Sequence, residues 1–548
     1  MSVGKRIGDI GLYYDPLYGH IPIRPLMRKA LNLRTMQRLR RLKQLATLDL
    51  AFPGATHTRF AHSVGVFHIA SLMFDSLFDT YSGFRGSERN IDWPTLTPHH
   101  KLAVQLAALF HDVGHGPFSH IFELFCKRHT AYKKMEHEYI SEELITKGIG
   151  EYNDIPGFLH SIIDAEKKKG TVEAYLNFFE PNNIAKMVQG ISPPADPKYL
   201  FLSQIVKWPL DADRMDYLRR DSLYTGVETG RVDIWEIINN LMLCREKLPD
   251  GKEVYTLKVN RSAAIAVEAF LQARDFTYRR LYFNETHRAN QELIVRGLRE
   301  LAERFKSPRE LTLRTDDQIL LDFQNGSPFT KKIAKRLTMR TAYEALPFKI
   351  GVYEDLPPSA KRQWEDLLKL DRAIIFETEK KLAREIGIPF EDILIFDIEK
   401  SPLAKKEDFQ ERIIYDANSQ NAMSLIEALP HLALTRGEFN LPFYKEPIDL
   451  SAVYLNMLSH IFIFLPDNFI SDRINEYRDA CTKNGVLPNA ETISRVFENQ
   501  FQSSCFAKIF AALTNLLKIE GKAKDKLLLG YKESLKTFVT HKVLETEN

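Results

Sequence analysis

Apolar residues recur at helical spacing over most of the first 310 positions. Leu26, Ala30, Leu31, Met36, Leu39, Leu42 and Leu45 stand mostly three to five apart, which predicts helix from Pro25 to about Asp49. The Pro-Gly segment FPGATHT at 52–58 predicts a turn. Ala61, Val64, Phe67, Ala70 and Met73 follow three apart, with Leu72 beside them, and predict a second helix. KLAVQLAALFHDV at 101–113 is a third, apolar on most sides and stopped by Gly114, Gly116 and Pro117. Further helical patterns cover 136–146, 199–221, 262–283 and 286–305. The composition shifts near residue 310. Between about 370 and 450, RAIIFETEKKLAREIGI reads as helix, whereas DILIFDI and ERIIYD read as short strands, so a small α+β module is expected there. From 451 to 548 the pattern is helical again, with Leu455, Leu458, Ile461 and Phe462 on one side. The expected fold is mainly α in three parts. These are a helical core over 1–310, a mixed α+β regulatory or oligomerisation module over 311–450, and a helical C-terminal extension over 451–548.

A chain of 548 residues exceeds one ordinary hydrophobic core, which agrees with several parts. Its 44% hydrophobic and 27% charged content is that of a soluble globular protein. A net charge of +3 is too small for a dedicated nucleic-acid binder, although it leaves room for a local basic pocket. The lysine cluster at 522–526 reads as a solvated face. The cysteines at 126, 244, 481 and 505 form no C-x-x-C pair or zinc-ribbon spacing and read as reduced thiols. MSVGKRIGDIGLYYDP has no apolar signal-peptide core, and the apolar run Leu455–Leu465 is too short to span a bilayer. A cytoplasmic protein without membrane partners is expected.

Four residues suggest chemistry: His62, the pair His111-Asp112, and Asp213. Two imidazoles and two carboxylates suit a divalent metal with mixed nitrogen and oxygen ligands. The apolar run Leu106–Phe110 leads directly into His111-Asp112, so the pair ends a buried helix, where unpartnered polar groups are costly. A metal would satisfy both side chains. Adjacent helical residues point about 100° apart, so the pair can bracket one ion only near a helix end. Each residue alone fits an ordinary structural role; the order Arg59-x-x-His62, His111-Asp112, Asp211-x-Asp213 is what singles them out. Asp213, Tyr217 and Asp221 are spaced by four and predict one helical stripe, a poor core face and a reasonable pocket wall.

TRFAHSVGV, LFHDVGHGPFSH and LDADRMDYLRRDS, in this order, resemble the HD superfamily of phosphohydrolases and within it the dNTP triphosphohydrolase branch. That branch includes bacterial dGTP triphosphohydrolases and the sterile-alpha-motif and HD-domain dNTPases. The resemblance runs from about Tyr14 to Phe305, which marks 1–310 as the HD core, with no sterile-alpha-motif domain expected ahead of it. It implies that His62, His111, Asp112 and Asp213 bind a divalent transition metal (Fe, Mn, Zn, Co or Ni), with Mg accompanying the substrate. It implies acid–base catalysis by His115 and His137, oriented by Glu123 where the family has aspartate. It assigns phosphate contacts to Arg59, His120, Arg214, Tyr217 and Arg274, with Arg214 in place of the usual lysine. Gln44, Leu45 and Asp221 fall to the sugar region, Gln44 and Asp221 at its 3′-hydroxyl, and Tyr282 crowds C2′ against ribose. Tyr278 replaces a family histidine between Arg274 and Tyr282. At an activating nucleotide site between subunits, the matching residues are Asn32, Gln37 and Arg40. Asn32 there replaces a guanine-reading aspartate and Gly11 a phosphate-contacting lysine, so weakened or altered GTP activation is expected. Family members form dimers and tetramers, so a homo-oligomer is expected.

The activity so implied is metal-dependent conversion of deoxynucleoside triphosphates to deoxynucleoside and inorganic triphosphate. No Walker A sequence is present, so phosphate binding would not use a P-loop. One alternative is an HD phosphodiesterase or nuclease acting on cyclic nucleotides or single-stranded nucleic acid, though no basic groove with stacking aromatics is visible. The other is a nucleotide-sensing scaffold without turnover. Four intact ligand positions weigh against it.

Overall fold

Helix dominates the described chain, as the apolar spacing predicts, and the fold is mainly α with small sheets. The computed structural model describes residues 11–82, 93–193, 195–248, 251–339, 343–346, 372–390, 394–397, 412–416, 421–424, 428, 461–483, 492, 496–497, 504–516, 524–525, 528–529 and 531–539. The chain divides into two units that interleave in sequence. One comprises Met1–Tyr282, Ile294–Ala334 and Ala404–Ala433; the other comprises Phe283–Leu293, Lys335–Leu403 and Leu434–Asn548.

The first unit opens with an antiparallel hairpin, β1 (Gly11–Asp15) and β2 (Gly19–Ile23), in the register Tyr13↔Ile21. Residues 25–50, expected as one helix, break into α1 (Pro25–Leu31), α2 (Arg34–Arg38) and two 3-10 turns, 39–41 and 48–50. The apolar register itself slips by five between Leu31 and Met36, and Asn32 caps α1 there. The backbone at Leu33 is extended before α2 begins.

The turn at 52–58 leads into α3 (Arg59–Ser82). This helix is long and apolar enough to cross a membrane by length and composition, but 67% of its apolar window is buried inside the protein, as in a core helix. It packs against α4 (Pro98–Phe110). The helices α5 (His120–Arg128), α6 (His137–Thr146) and α7 (Asp154–Lys168) follow. Beyond them come α8 (Glu173–Leu176), α9 (Pro181–Val188) and α10 (Leu200–Val206), and then α11 (Ala212–Thr225), which also packs on α3. The pattern at 199–221 is thus two helices, separated where Asp211 caps the second.

Two strands not anticipated from the pattern, β3 (Leu241–Lys247) and β4 (Glu253–Asn260), pair antiparallel. In β3 buried Leu241 and Leu243 alternate with more exposed neighbours, whereas the middle of β4 is buried continuously. Ile414–Asp416 adds to β4 in parallel and Asn421–Met423 completes the sheet. Pieces expected in the middle module, 311–334, 412–416 and 421–424, therefore belong to the first unit.

In the second unit, the helix Arg372–Ile386 and the strand Leu394–Asp397 match expectation. Ile461–Pro466, expected as helix, is instead the central strand of a three-stranded antiparallel sheet, between Tyr343–Leu346 and Leu394–Asp397. A strand bonded on both edges can read as a continuous apolar run, IFIFL, which periodicity alone does not separate from helix. Leu455, Leu458, Lys522 and Lys526 lie outside the described residues. The helices Asp467–Lys483 and Cys505–Leu516 agree with the helical reading of the C-terminal part.

Candidate active site

The site is assembled from the ends of three helices of the first unit. His62 sits in the first turn of α3. His111 and Asp112 follow the last residue of α4, beyond the helix proper, where two adjacent side chains can converge. Asp213 lies in the first turn of α11, fixed by Asp211, whose carboxylate accepts from Arg214 N at 2.7 Å and Trp208 N at 2.8 Å. Burial, with Asp213 close by and Arg214 opposing, pushes the Asp211 carboxyl up to about 6.

The turn after Asp112 is held from two sides. Arg38, buried, donates to the carbonyls of His115 at 2.6 Å, Thr312 at 2.9 Å and Leu313 at 2.8 Å. Gly114 donates to Ser141 Oγ at 2.9 Å. A Cβ on Gly114 would meet the His137 carbonyl at 2.2 Å, so this glycine is what lets α6 press against the turn. The space at Gly114 is thus filled by α6, which brings His137 to the site.

Within the centre, His62 Nε2 lies 2.9 Å from Asp213 Oδ1 and 3.8 Å from Asp112 Oδ2. His111 Nε2 lies 3.2 Å from Asp112 Oδ1 and 3.7 Å from Asp213 Oδ1. One atom each of His62, His111 and Asp112 falls within a mutual 4.8 Å. His111 Nδ1 hydrogen-bonds the Ala108 carbonyl at 2.8 Å, which leaves Nε2 as the lone-pair nitrogen. Among the described residues, that buried Nε2 has no hydrogen-bond partner, a costly arrangement that a cation would resolve. His62, His111 and Asp112 therefore form a group that could hold a divalent metal, with Asp213 beside it through its contacts with both imidazoles. Burial disfavours charge on His62, but its bonds to Asp213 and Asp216 outweigh it and hold the imidazole up at about 10. A cation among these groups would compete with that proton. Burial acts against ionised Asp112 too, yet His111, Arg59 and His115 hold it well below the usual carboxylate range.

Beside this centre lies a second cluster. The His115 and His137 rings stack 4.2 Å apart. His115 Nε2 is 3.2 Å from Asp112 Oδ1, while its Nδ1 is 3.7 Å from Glu123 Oε1. Glu123 hydrogen-bonds His137 Nδ1 and, at 3.1 Å, His120 Nδ1. The longer carboxylate thus reaches both imidazoles as well as His115. Burial and the Arg59 charge keep His115 well below the ordinary histidine range, whereas Glu123 raises His137 against its own burial. His120 is predominantly exposed, on the rim.

Arg59 donates through its Nε to Ser119 Oγ at 2.7 Å and through NH1 to Asp112. Ser119 and Phe118 both have left-handed φ, 55° and 58°, a strained turn for non-glycine residues. Asp316 spans this turn, accepting from Phe118 N at 2.6 Å and Lys43 N at 2.8 Å.

The α11 stripe is as predicted. Asp213 and Tyr217 are partly exposed and Asp221 is buried. Asp221 takes the Tyr282 hydroxyl at 2.5 Å and His57 Nε2 at 2.8 Å. Tyr282 ends a π-helical turn, Tyr278–Tyr282, after the helix Ala264–Thr277, and the two tyrosine rings meet edge to face at 4.8 Å. The Arg274 guanidinium lies 5.9 Å from the Tyr278 ring. Burial pushes the Tyr217 hydroxyl up, and the Arg274 and Arg214 charges oppose that shift. Leu45 packs with Leu48, Ala55 and Leu281 against Tyr282. The buried Gln44 Oε1 has no hydrogen-bond partner among the described residues. Of the residues expected at an activator site, Gln37 accepts from Arg40 Nε at 2.9 Å and Asn32 caps α1.

The sequence pattern did not reveal Asp15, Arg38, His57, Ser119, Asp216 or Arg220. Asp216 and Arg220 stand four apart on α11, an available signal, but beside a polar stripe that already explained the helix.

Comparison with known proteins adds to this geometry. Residues 59–205 match the family model described as HD domain, and 232–436 the model described as HD associated region. Asp213 lies between the two. The chain is 30% identical over 299 residues to an uncharacterized protein of Bacillus subtilis, YwfO, across 54% of this chain and 56% of that protein. It is 32% identical over 243 residues to the deoxynucleoside triphosphate triphosphohydrolase SAMHD1 of Mus musculus, across 41% of this chain and 33% of the mouse protein. The matches thus span about half of the first relative and a third of the second. In fold it resembles a hypothetical protein of Aquifex aeolicus, with a TM-score of 0.55 at 24% identity over 85% of this chain and 98% of that one. It also resembles a phosphohydrolase of Bacteroides thetaiotaomicron, with a TM-score of 0.53 at 21% identity over 83% and 99%.

Proposed function

We infer from the match of residues 59–205 to the HD domain and of 232–436 to the HD associated region that the chain is an HD phosphohydrolase, and we propose that it hydrolyses deoxynucleoside triphosphates to deoxynucleoside and inorganic triphosphate. The observation that carries the reading is the adjacency of three sets of groups. The His62, His111, Asp112 and Asp213 centre shares Asp112 with the His115–Glu123–His137 cluster, and α11 carries Asp213 beside the residues of a sugar pocket.

His62, His111, Asp112 and Asp213 would hold a divalent cation, which would supply Lewis-acid polarisation and neutralise phosphate charge. The remaining work belongs to side chains of the chain. Arg59, Arg214 and Arg274 stabilise charge on the triphosphate oxygens. His137, held by Glu123 through Nδ1, keeps Nε2 for proton transfer and donates to the 5′ oxygen as it leaves the α-phosphorus. Asp221, fixed through both oxygens by His57 and Tyr282, presents an acceptor to the sugar 3′-hydroxyl. Tyr282, packed over Leu45 and Leu281, closes the pocket where a ribose 2′-hydroxyl would sit. The relatives named as dNTP triphosphohydrolases support this substrate class. We place the protein in the cytoplasm as a homo-oligomer, with a weakened response to guanine nucleotides because Asn32 lacks a carboxylate.

Two variants test the roles. His137→Ala is expected to slow turnover by about 10²- to 10⁴-fold with metal content by elemental analysis unchanged. An unaltered rate removes His137 from the chemistry. Tyr282→Ala is expected to relax preference for a dNTP over the matching NTP by about tenfold or more, measured as the ratio of kcat/KM values; an unchanged ratio contradicts its place in the pocket. The substrate class is tested by incubating the protein and Mn²⁺ with each dNTP, each NTP, cyclic nucleotides and single-stranded oligonucleotides. Turnover of dNTPs over the others is expected. Cleavage confined to oligonucleotides or cyclic nucleotides would replace this reading with the phosphodiesterase one, and no turnover would favour a sensor.

A further inference from the structure

A line of buried ionic groups leads from the metal-ligand cluster to the N-terminal hairpin. His62, whose Nε2 faces Asp112 and Asp213, hydrogen-bonds Asp216 Oδ2 through Nδ1 at 2.8 Å. Asp216 is fully buried. Arg220, one turn on and also fully buried, grips both of its oxygens, Nε to Oδ2 at 2.8 Å and NH2 to Oδ1 at 3.0 Å. The remaining arm of the guanidinium, NH1, donates to Asp15 Oδ2 at 2.9 Å. Asp15 ends β1, and its other oxygen accepts from Leu17 N at 2.8 Å and Tyr18 N at 3.1 Å, closing the turn of the N-terminal hairpin. The Tyr18 ring lies 5.7 Å from the same guanidinium.

We propose that Asp216, Arg220 and Asp15 are positioning residues that tie the metal centre to the N-terminal hairpin, so that divalent-cation binding and docking of the hairpin strengthen each other. This rests on the reading that the His62 cluster takes such a cation. Three features support it. A carboxylate on Nδ1 makes that nitrogen the proton carrier and leaves the Nε2 lone pair for the ion, the usual way a ligand histidine is oriented. The three groups carry two negative charges and one positive, so one buried negative charge is left over. A cation beyond His62 compensates it. Finally, α3 is built around the chain. Gly65 is one turn from His62, and a Cβ there would meet Asp216 Oδ1 at 1.9 Å and Arg220 NH2 at 2.4 Å. The charged groups occupy the space of a side chain.

Coupling of this kind is reciprocal, so it can be read from either end. Mn²⁺ affinity of the full chain is measured by titration for wild type and Asp15→Asn, with Leu159→Ala as a control. Leu159 is buried in α7, so its truncation destabilises the protein without touching the chain. Asp15→Asn is expected to bind Mn²⁺ about tenfold more weakly, while Leu159→Ala binds as wild type. In the wild-type protein, backbone amides of residues 16–23 are expected to exchange hydrogen more slowly with Mn²⁺ than without. This second measurement needs no variant to fold. Equal affinity of Asp15→Asn and wild type, an equal loss in Leu159→Ala, or hairpin exchange indifferent to Mn²⁺ overturns the coupling while leaving the metal site intact. A wild-type protein that binds no Mn²⁺ overturns the metal reading and the coupling together.

Discussion

Asp112→Ala is expected to strip the protein of its divalent metal and to lower turnover by at least about 10³-fold. Asp112 is the one carboxylate shared by both halves of the site. It lies 3.2 Å from His111, 3.2 Å from His115 and 3.8 Å from His62, and it pairs with Arg59. Its loss removes a ligand and leaves a buried guanidinium without its anion. Metal-derived charge stabilisation amounts to several kcal/mol, and each 1.4 kcal/mol is a factor of ten, which sets the scale. Metal analysis and steady-state assay of the same preparation check it. Full metal content with full turnover would mean that the four-residue centre is misassigned. Asp112→Asn, which keeps the shape and removes the charge, separates the electrostatic loss from any packing defect.

Arg220→Ala is expected to destabilise the first unit by about 3–5 kcal/mol, because it leaves two buried carboxylates without their common partner. Among the described residues, many other ion pairs are far more exposed. Arg231 and Glu228 form a pair at 2.9 Å with both side chains over two-thirds exposed, and breaking an exposed pair of that kind costs at most about 1 kcal/mol. Urea unfolding of Arg220→Ala and Arg231→Ala compares the two directly. Equal losses would show that the buried chain carries no special weight.

Much of the site was legible in the sequence because its chemistry is written in short, local words. His111-Asp112 follows an apolar helix, His62 opens another, and Asp213, Tyr217 and Asp221 share a face by spacing alone. The structure brings His62, His111, Asp112 and Asp213 close to one another, and Tyr217 and Asp221 lie on the helix that carries Asp213. What escaped depends on contacts between distant segments. His57 is 164 positions from Asp221, and Asp15 is 205 from Arg220, so neither pair has a local signature. On α11 the polar residues occupy two stripes, and the second, Asp216 and Arg220, faces inward against α3, whereas polarity is ordinarily read as exposure. The same locality explains the errors of fold. The apolar spacing over 25–49 tolerates one helix, and only the cap at Asn32 and the extended Leu33 divide it. The run at Ile461–Pro466 becomes a strand because partners on both edges are available, Tyr343–Leu346 and Leu394–Asp397, each separated from it by many residues.

The most direct test of the proposed chemistry is hydrolysis of a dNTP in ¹⁸O-labelled water with Mn²⁺, followed by phosphorus NMR and mass analysis of the products. Water attack at the α-phosphorus, with the 5′ oxygen as leaving group, predicts inorganic triphosphate carrying one ¹⁸O on a terminal phosphorus and an unlabelled deoxynucleoside. Release of pyrophosphate with a deoxynucleoside monophosphate, of orthophosphate with a diphosphate, or of label in the deoxynucleoside would contradict it.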